Sequence, residues 1–162
     1  MQQMVAHALG WRSHQVSVEC RRMGGGFGGK ESQSAQWACL AALLAVKTGC
    51  PVKFRLDRDD DMVATGKRHP YQYRWESAFD DAGRILGLRL EMASDCGYSA
   101  DLSGPVNDRT ICHIDNAYYL DAVALRSLRC KTNRVSNTAF RGFGGPQGMF
   151  VIETVLDDIA RH

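Results

Sequence analysis

Apolar residues recur at helical spacing in three stretches of this 162-residue chain. The stretches are residues 2–10, residues 31–47 and residues 148–162. Spacings of three and four residues place apolar side chains on one face of an α-helix. Gly10 and Gly49 follow the first two stretches, and a glycine commonly ends a helix. The pattern therefore predicts an N-terminal, a central and a C-terminal helix.

Alternation of polar and apolar residues predicts β-strands elsewhere. Residues 71–80 and 85–93 alternate on either side of the turn sequence Asp-Asp-Ala-Gly-Arg, which indicates an antiparallel hairpin. Shorter strands are expected at residues 15–20, 51–56 and 122–130. Helices and strands that do not repeat as parallel units indicate an α+β fold. We expect a mixed sheet that contains the hairpin and packs against the helices.

Two glycine-rich turns interrupt this pattern. Residues 24–31 read Gly-Gly-Gly-Phe-Gly-Gly-Lys-Glu and precede the central helix, and residues 142–145 read Gly-Phe-Gly-Gly and precede the C-terminal helix. Glycine lets the backbone approach a ligand closely, and N–H groups at a helix N-terminus favour anions. Two Gly-Phe-Gly-Gly turns in one short chain indicate a single site that is approached from two sides.

The first turn matches two nucleotide-binding signatures incompletely. It follows the P-loop pattern until Glu31 stands in place of the Ser or Thr that binds Mg²⁺, and a carboxylate there repels phosphates. Its glycine spacing also matches the dinucleotide fingerprint, but Cys50 occupies the place of the expected acidic residue. Neither signature is favoured. Purely structural glycine turns stay open as an alternative, and Arg109 and Arg141 taken singly are ordinary surface cations.

Composition removes several classes of function. The net charge is +2 and the basic residues are scattered, so the chain lacks the electrostatic footprint of a nucleic-acid-binding protein. No apolar run approaches the ~20 residues of a membrane span, and the N-terminus does not resemble a signal peptide. The six cysteines show no zinc-ligand spacing, and free thiols indicate the cytoplasm. The acidic run at residues 57–61 lacks the glycine of a calcium loop, so a solvated turn is expected.

Four motifs taken together resemble the molybdenum-binding portion of the xanthine dehydrogenase family of molybdenum hydroxylases. They are residues 22–31, 66–70, 130–133 and 136–147. The resemblance spans essentially the whole chain. It implies that residues 1–162 are part of a larger molybdopterin-binding domain that is truncated here at both ends. No catalytic residue is expected within the chain, because the glutamate base of the family would lie beyond His162.

The resemblance also implies a molybdenum ion that is held by a pyranopterin and has no side-chain ligand from the protein. Gly26, Phe27, Gly28 and Arg141 would contact this cofactor, with Phe27 and Arg141 beside the metal. Phe27 and Phe143 would hold a flat heterocycle, one by its edge and one by stacking, which suits the aromatic quadrupole.

Glu31 and Arg109 would bind a purine in such an enzyme. Glu31 would hydrogen-bond the ring, and Arg109 would stabilise the negative charge that develops when a ring carbon is attacked. This charged pair favours hypoxanthine and xanthine over the aldehydes of related aldehyde oxidases. Electrons would leave through iron–sulfur clusters and FAD in partner domains or subunits of an oligomer, and then to NAD or O₂. An aldehyde oxidase and a non-catalytic structural fragment are the alternatives.

Overall fold

A computed structural model describes residues 1–162 and divides them into two units, Met1–Gly66 and Lys67–His162. The first unit is helical. It contains α1 (Gln2–Leu9), a 3₁₀ turn (Ser13–Gln15), α2 (Ala35–Thr48) and α3 (Arg58–Ala64). Gly10 and Gly49 end α1 and α2 with φ of 67° and 68°, which confirms the two glycine stops.

Three expectations for the first unit are wrong. Residues 15–20 and 51–56 form no strand, because each lacks a neighbouring strand to complete its backbone hydrogen bonds. The acidic run is the start of a helix and not a turn. Asp57 caps α3 by accepting a hydrogen bond from the Asp60 N–H at 2.9 Å, and acidic side chains in a first turn suit the helix dipole.

The second unit is an α+β structure with a mixed three-stranded sheet, which confirms the expected fold class. Its elements are β1 (Tyr71–Phe79), β2 (Ile85–Gly97), α4 (Ser103–Ile111), β3 (Val123–Lys131) and α5 (Gly145–Ala160). Strand β2 is central, antiparallel to β1 and parallel to β3. The predicted hairpin is confirmed, and the Asp80 carboxylate closes its turn by accepting the N–H groups of Ala82 and Arg84 at 3.0 and 2.8 Å.

The core of the second unit lies between one face of the sheet and helix α5. Leu88, Leu90 and Met92 of β2 alternate inward, as a strand period of two requires. They pack against residues of α5, namely Val151, Ile152, Val155 and Ile159. The opposite face carries cross-strand ion pairs, Arg89–Glu76 and Arg126–Glu91. None of the helices combines the length and the apolar character that crossing a membrane requires.

Candidate functional site

The first glycine turn folds back on itself in the first unit. Phe27 has a φ of 54°, a left-handed conformation that is rare for an aromatic residue, and its side chain is 68% exposed. Gly28 and Gly29 continue with φ of 88° and 78°. A Cβ on Gly25 would lie 2.6 Å from the Phe27 ring, and the Lys30 ammonium donates to the Gly25 carbonyl. The turn therefore needs glycine to present an outward aromatic ring.

Glu31 lies at the end of this turn and is exposed. The central helix begins at Ala35, four residues later than the sequence pattern predicts, so residues 31–34 form turns and bends between loop and helix. Gln33 closes this connection, since its side-chain oxygen accepts the Gly66 N–H at 2.8 Å.

The second glycine turn repeats the backbone conformation of the first. Phe143 has a φ of 49° and the following Gly144 has a φ of 94°, so in both turns a left-handed phenylalanine precedes a left-handed glycine. The Phe143 N–H donates to the Phe140 carbonyl at 2.7 Å, and Gly144 is the N-cap of α5. A left-handed backbone conformation costs a non-glycine residue about 1–3 kcal/mol, and such residues cluster at functional sites. The repeated conformation therefore marks both turns as candidate ligand-binding loops.

Helix α4 packs directly on the second turn. A Cβ on Gly144 would overlap the Val106 carbonyl oxygen and lie 2.8 Å from Thr110 Oγ1. Arg109 belongs to the last turn of this helix and its side chain is exposed. The helix backbone that carries Arg109 is thus in contact with the turn that carries Phe143.

Strand β1 supports both helices through two tyrosines. The Tyr71 hydroxyl lies 3.0 Å from Thr110 Oγ1, and the Tyr73 hydroxyl donates to the Gln147 carbonyl at 3.0 Å. Burial raises the pKa of both phenols, so both remain neutral hydrogen-bonding groups. A Cβ on Gly148 would lie 2.5 Å from the Thr110 carbonyl oxygen, so α5 also requires a glycine where it meets α4.

A buried asparagine fixes α4 on the sheet. Asn107 donates to Ser94 Oγ at 2.9 Å and to the Ser103 carbonyl at 2.8 Å, while Ser127 Oγ donates to Asn107 Oδ1 at 2.9 Å. Buried polar groups are stable only when such partners satisfy them. The network joins β2, α4 and β3, and so sets the position of the helix that carries Arg109.

The sequence alone does not predict the supporting role of residues 66–70, although this motif is part of the family resemblance. The Lys67 carbonyl accepts the Thr138 N–H at 3.0 Å, and the Lys67 N–H donates to Asn137 Oδ1 at 3.3 Å. His69 is buried, with its Nε2 2.8 Å from Ser103 Oγ, and burial lowers its pKa. The motif itself is visible in the sequence, but the residues that it contacts are distant in the sequence, so no local pattern predicts those contacts.

Several buried polar atoms around the second turn have no hydrogen-bond partner in the chain. They include Arg68 Nη1, Thr138 Oγ1 and Gln147 Oε1. Buried polar groups usually find partners, so unpaired groups beside a strained glycine turn suit a polar ligand. Arg68 supplies a cationic donor and Arg141 an exposed cation, which fits an anionic group. No group of three or more His, Cys, Asp or Glu side chains is placed to hold a metal ion.

The second turn, with the Arg68 guanidinium and unpaired buried polar atoms beside it, suits an anionic ligand, and the first turn has the same backbone conformation. The family model of the molybdopterin cofactor-binding domain matches residues 1–162. The chain belongs to this family. Its cofactor is the molybdenum-carrying pyranopterin.

Relatives over nearly the whole chain include a xanthine dehydrogenase/oxidase of Gallus gallus, which is 48% identical over 160 residues, or 99% of this chain. A nicotinate hydroxylase of Emericella nidulans is 48% identical over 147 residues, or 91% of this chain. The chain spans 12% and 11% of the length of these two relatives.

Solved structures show the same fold. An aldehyde oxidoreductase from Desulfovibrio gigas matches with a TM-score of 0.81 and 28% identity, over 98% of this chain and 18% of that protein. A quinoline 2-oxidoreductase from Pseudomonas putida matches with a TM-score of 0.81 and 28% identity, over 99% of this chain and 21% of the other. These similar enzymes are named for different substrates, so the similarity supports the family and does not identify one substrate.

Proposed function

We propose that the chain is part of a purine-oxidising molybdenum hydroxylase that converts hypoxanthine to xanthine and xanthine to urate. The observation that carries this proposal is the position of Arg109, on the helix that touches the second glycine turn at Gly144. Glu31 follows the first turn directly and supplies a second charged group. Identity of 48% to a xanthine dehydrogenase/oxidase supports the same substrate class.

The glycine turns serve the cofactor in this proposal. Gly26, Phe27 and Gly28 of the first turn contact the cofactor. Arg141 of the second turn contacts it as well and adds a positive charge. Phe27 and Arg141 lie beside the molybdenum without acting as direct ligands. The chemistry of the cofactor, when it is bound, is the oxidation of a substrate carbon, and the oxygen atom added to that carbon comes from water.

Three side chains bind the substrate. Glu31 accepts a hydrogen bond from a ring N–H, and Phe143 stacks on the flat heterocycle. Arg109 places a cation beside an oxygen of the purine, where negative charge grows as the ring carbon is attacked. Such a contact is stronger in the transition state than with the bound substrate, so it accelerates the reaction.

The larger enzyme completes the reaction. We propose that residues 1–162 form part of a larger molybdopterin-binding domain, since the chain spans 12% of the length of the xanthine dehydrogenase relative. A glutamate base outside these residues takes the proton. Iron–sulfur clusters and FAD in partner domains or subunits receive the electrons, within a cytoplasmic oligomer.

A second candidate is oxidation of another nitrogen heterocycle or of an aldehyde. The 48% identical nicotinate hydroxylase favours a pyridine carboxylate, and the aldehyde oxidoreductase structure favours an aldehyde. Arg109 suits a carboxylate as well as a purine oxygen, because guanidinium groups bind both. Glu31, in contrast, repels a carboxylate and favours the N–H groups of a purine.

Substrate preference of the full-length enzyme tests the proposal. The kcat/KM is measured for hypoxanthine, nicotinate and benzaldehyde at equal molybdenum content. We expect hypoxanthine to be preferred, and Glu31→Gln to reduce this preference. The matched control is Glu76→Gln, which changes an exposed carboxylate on the outer sheet face. A higher kcat/KM for nicotinate or benzaldehyde would show that the purine assignment is wrong.

A further inference from the structure

Arg68 lies at the centre of the contacts that hold the second glycine turn. Its Nη2 donates to the Arg141 carbonyl at 2.6 Å, across 73 positions of the sequence. The same guanidinium lies over the Phe140 ring, with its central carbon 4.6 Å from the ring centroid. One planar side chain thus fixes two consecutive residues, one by its edge and the other by its face.

These contacts also fix the residues of the second glycine turn that follow Phe140 and Arg141. The Phe140 carbonyl accepts the Phe143 N–H at 2.7 Å, so displacement of Phe140 would also displace the left-handed phenylalanine. The peptide group that joins Arg141 to Gly142 is held at its oxygen by Arg68. Its N–H, on Gly142, therefore has a fixed direction.

The segments on either side of Arg68 are themselves anchored. Lys67 pairs with Asn137 and Thr138, and His69 contacts Ser103 at the start of α4. A side chain between two fixed neighbours loses little further freedom when it binds, so its contacts are well defined. Arg68 therefore holds the second glycine turn in one position through its contacts with Arg141 and Phe140.

The other terminal nitrogen of the Arg68 guanidinium also indicates a ligand. Nη1 is buried and has no hydrogen-bond partner. A purely structural arginine would gain by satisfying this donor, because an unpaired buried donor costs about 1–3 kcal/mol. An anionic group beside the turn removes that cost, both as an acceptor and by its charge.

We propose that Arg68 is a positioning residue of the molybdenum cofactor site. It orients the Arg141–Gly142 peptide and the Phe140 ring, and its charge stabilises the anionic cofactor. This inference rests on the chain's cofactor-binding role in the proposed function and does not depend on which substrate is oxidised. Residues of this kind typically change metal affinity or activity about 10–100-fold when substituted.

The test uses the full-length enzyme with Arg68→Met, Arg68→Lys and the control Arg89→Gln. Arg89 is an exposed arginine on the outer face of the sheet and pairs only with Glu76 among charged groups. Molybdenum per protomer is measured, then the electron paramagnetic resonance signal of the partly reduced metal after dithionite, then kcat and KM with the best substrate.

We expect Arg68→Met to lose molybdenum, and its remaining metal to give an altered resonance signal and a kcat lower by about tenfold or more at similar KM. Arg68→Lys keeps the charge but not the planar fork, so it should recover molybdenum while the signal stays altered. Arg89→Gln should match the wild type.

Wild-type molybdenum content, resonance signal and kcat in Arg68→Met would overturn the inference. Should Arg68→Met fail to fold, Arg68→Lys decides, and a wild-type resonance signal in that variant overturns the inference. The purine proposal fails separately: an enzyme that holds molybdenum, responds to Arg68 substitution and does not oxidise hypoxanthine contradicts only the substrate assignment.

Discussion

Gly144 and Val106 meet backbone to backbone, because any Cβ on Gly144 would overlap the Val106 carbonyl oxygen. Gly144 also has a φ of 94°, a conformation that L side chains rarely adopt. Arg109 follows Val106 by one helical turn, and Phe143 directly precedes Gly144. One glycine therefore governs the spacing between the helix and the turn that carry two proposed substrate-binding residues.

Substitution of this glycine should be severe. We predict that Gly144→Ala lowers the free energy of unfolding by about 3 kcal/mol, from left-handed strain and from overpacking against α4. Urea unfolding of the 162-residue chain, followed by circular dichroism, measures this change. Gly145→Ala is the matched control, since its Cβ would meet His113 at an ordinary 3.5 Å. Equal unfolding midpoints for the two variants would contradict the prediction.

The buried asparagine of α4 gives a second stability prediction. Asn107→Ala removes the partner of Ser94 and Ser127 and leaves a cavity, so it should cost about 2–4 kcal/mol. The same urea experiment with Asn133→Ala, at an exposed position, should change stability by less than about 0.5 kcal/mol. A small effect of Asn107→Ala would mean that the network does not hold α4.

His69 makes the stability depend on pH. Burial lowers its folded-state pKa, although Asp101 and Asp95 oppose this effect. Its unfolded pKa is about 6.5, so below this pH the unfolded chain binds a proton that the folded chain resists. The contribution of neutral His69 is therefore complete above about pH 6.5 and is lost as the pH falls toward the lowered value.

The corresponding measurement is urea unfolding of the 162-residue chain at about pH 7.5 and about pH 5.5. Stability should fall on acidification, and His69→Gln should reduce that fall. His14→Gln serves as the control because His14 is exposed. The same pH dependence in wild type and His69→Gln would assign the acid sensitivity to other groups.

The isolated chain should be inactive. It spans 12% of the length of the xanthine dehydrogenase relative, and the proposed base is outside it. We predict that the purified 162-residue chain retains no molybdenum and does not oxidise xanthine. Elemental analysis and a urate absorbance assay measure both properties. Stoichiometric metal together with turnover would refute this prediction and the proposed need for the larger domain.

The elements that the sequence predicted well are those whose partners are close along the chain. The hairpin of β1 and β2 follows from alternation around a glycine turn at Gly83, since the two strands are consecutive in the sequence and pair with each other across that turn. Residues 15–20 and 51–56 alternate as well but form no ladder, because alternation predicts an extended backbone and not the presence of a neighbouring strand.

The candidate site likewise has features that the sequence predicts and features that it does not. The glycine turns are visible in the sequence because glycine is the residue that tolerates their backbone, although the left-handed conformation of Phe27 and Phe143 is not. The role of Arg68 depends on Arg141, 73 positions later, and no local pattern predicts such a contact. Roles of Glu31 and Arg109 remain predictions that substitution must test.

Arg109 is proposed to stabilise the charge that develops on a purine during oxidation. The most direct test is kcat/KM for hypoxanthine in the full-length enzyme with Arg109→Gln, at molybdenum content equal to wild type. Loss of one such electrostatic donor typically lowers kcat by about 100–1,000-fold. We predict a fall of this size with an unchanged molybdenum content, and an unchanged kcat/KM would contradict the claim.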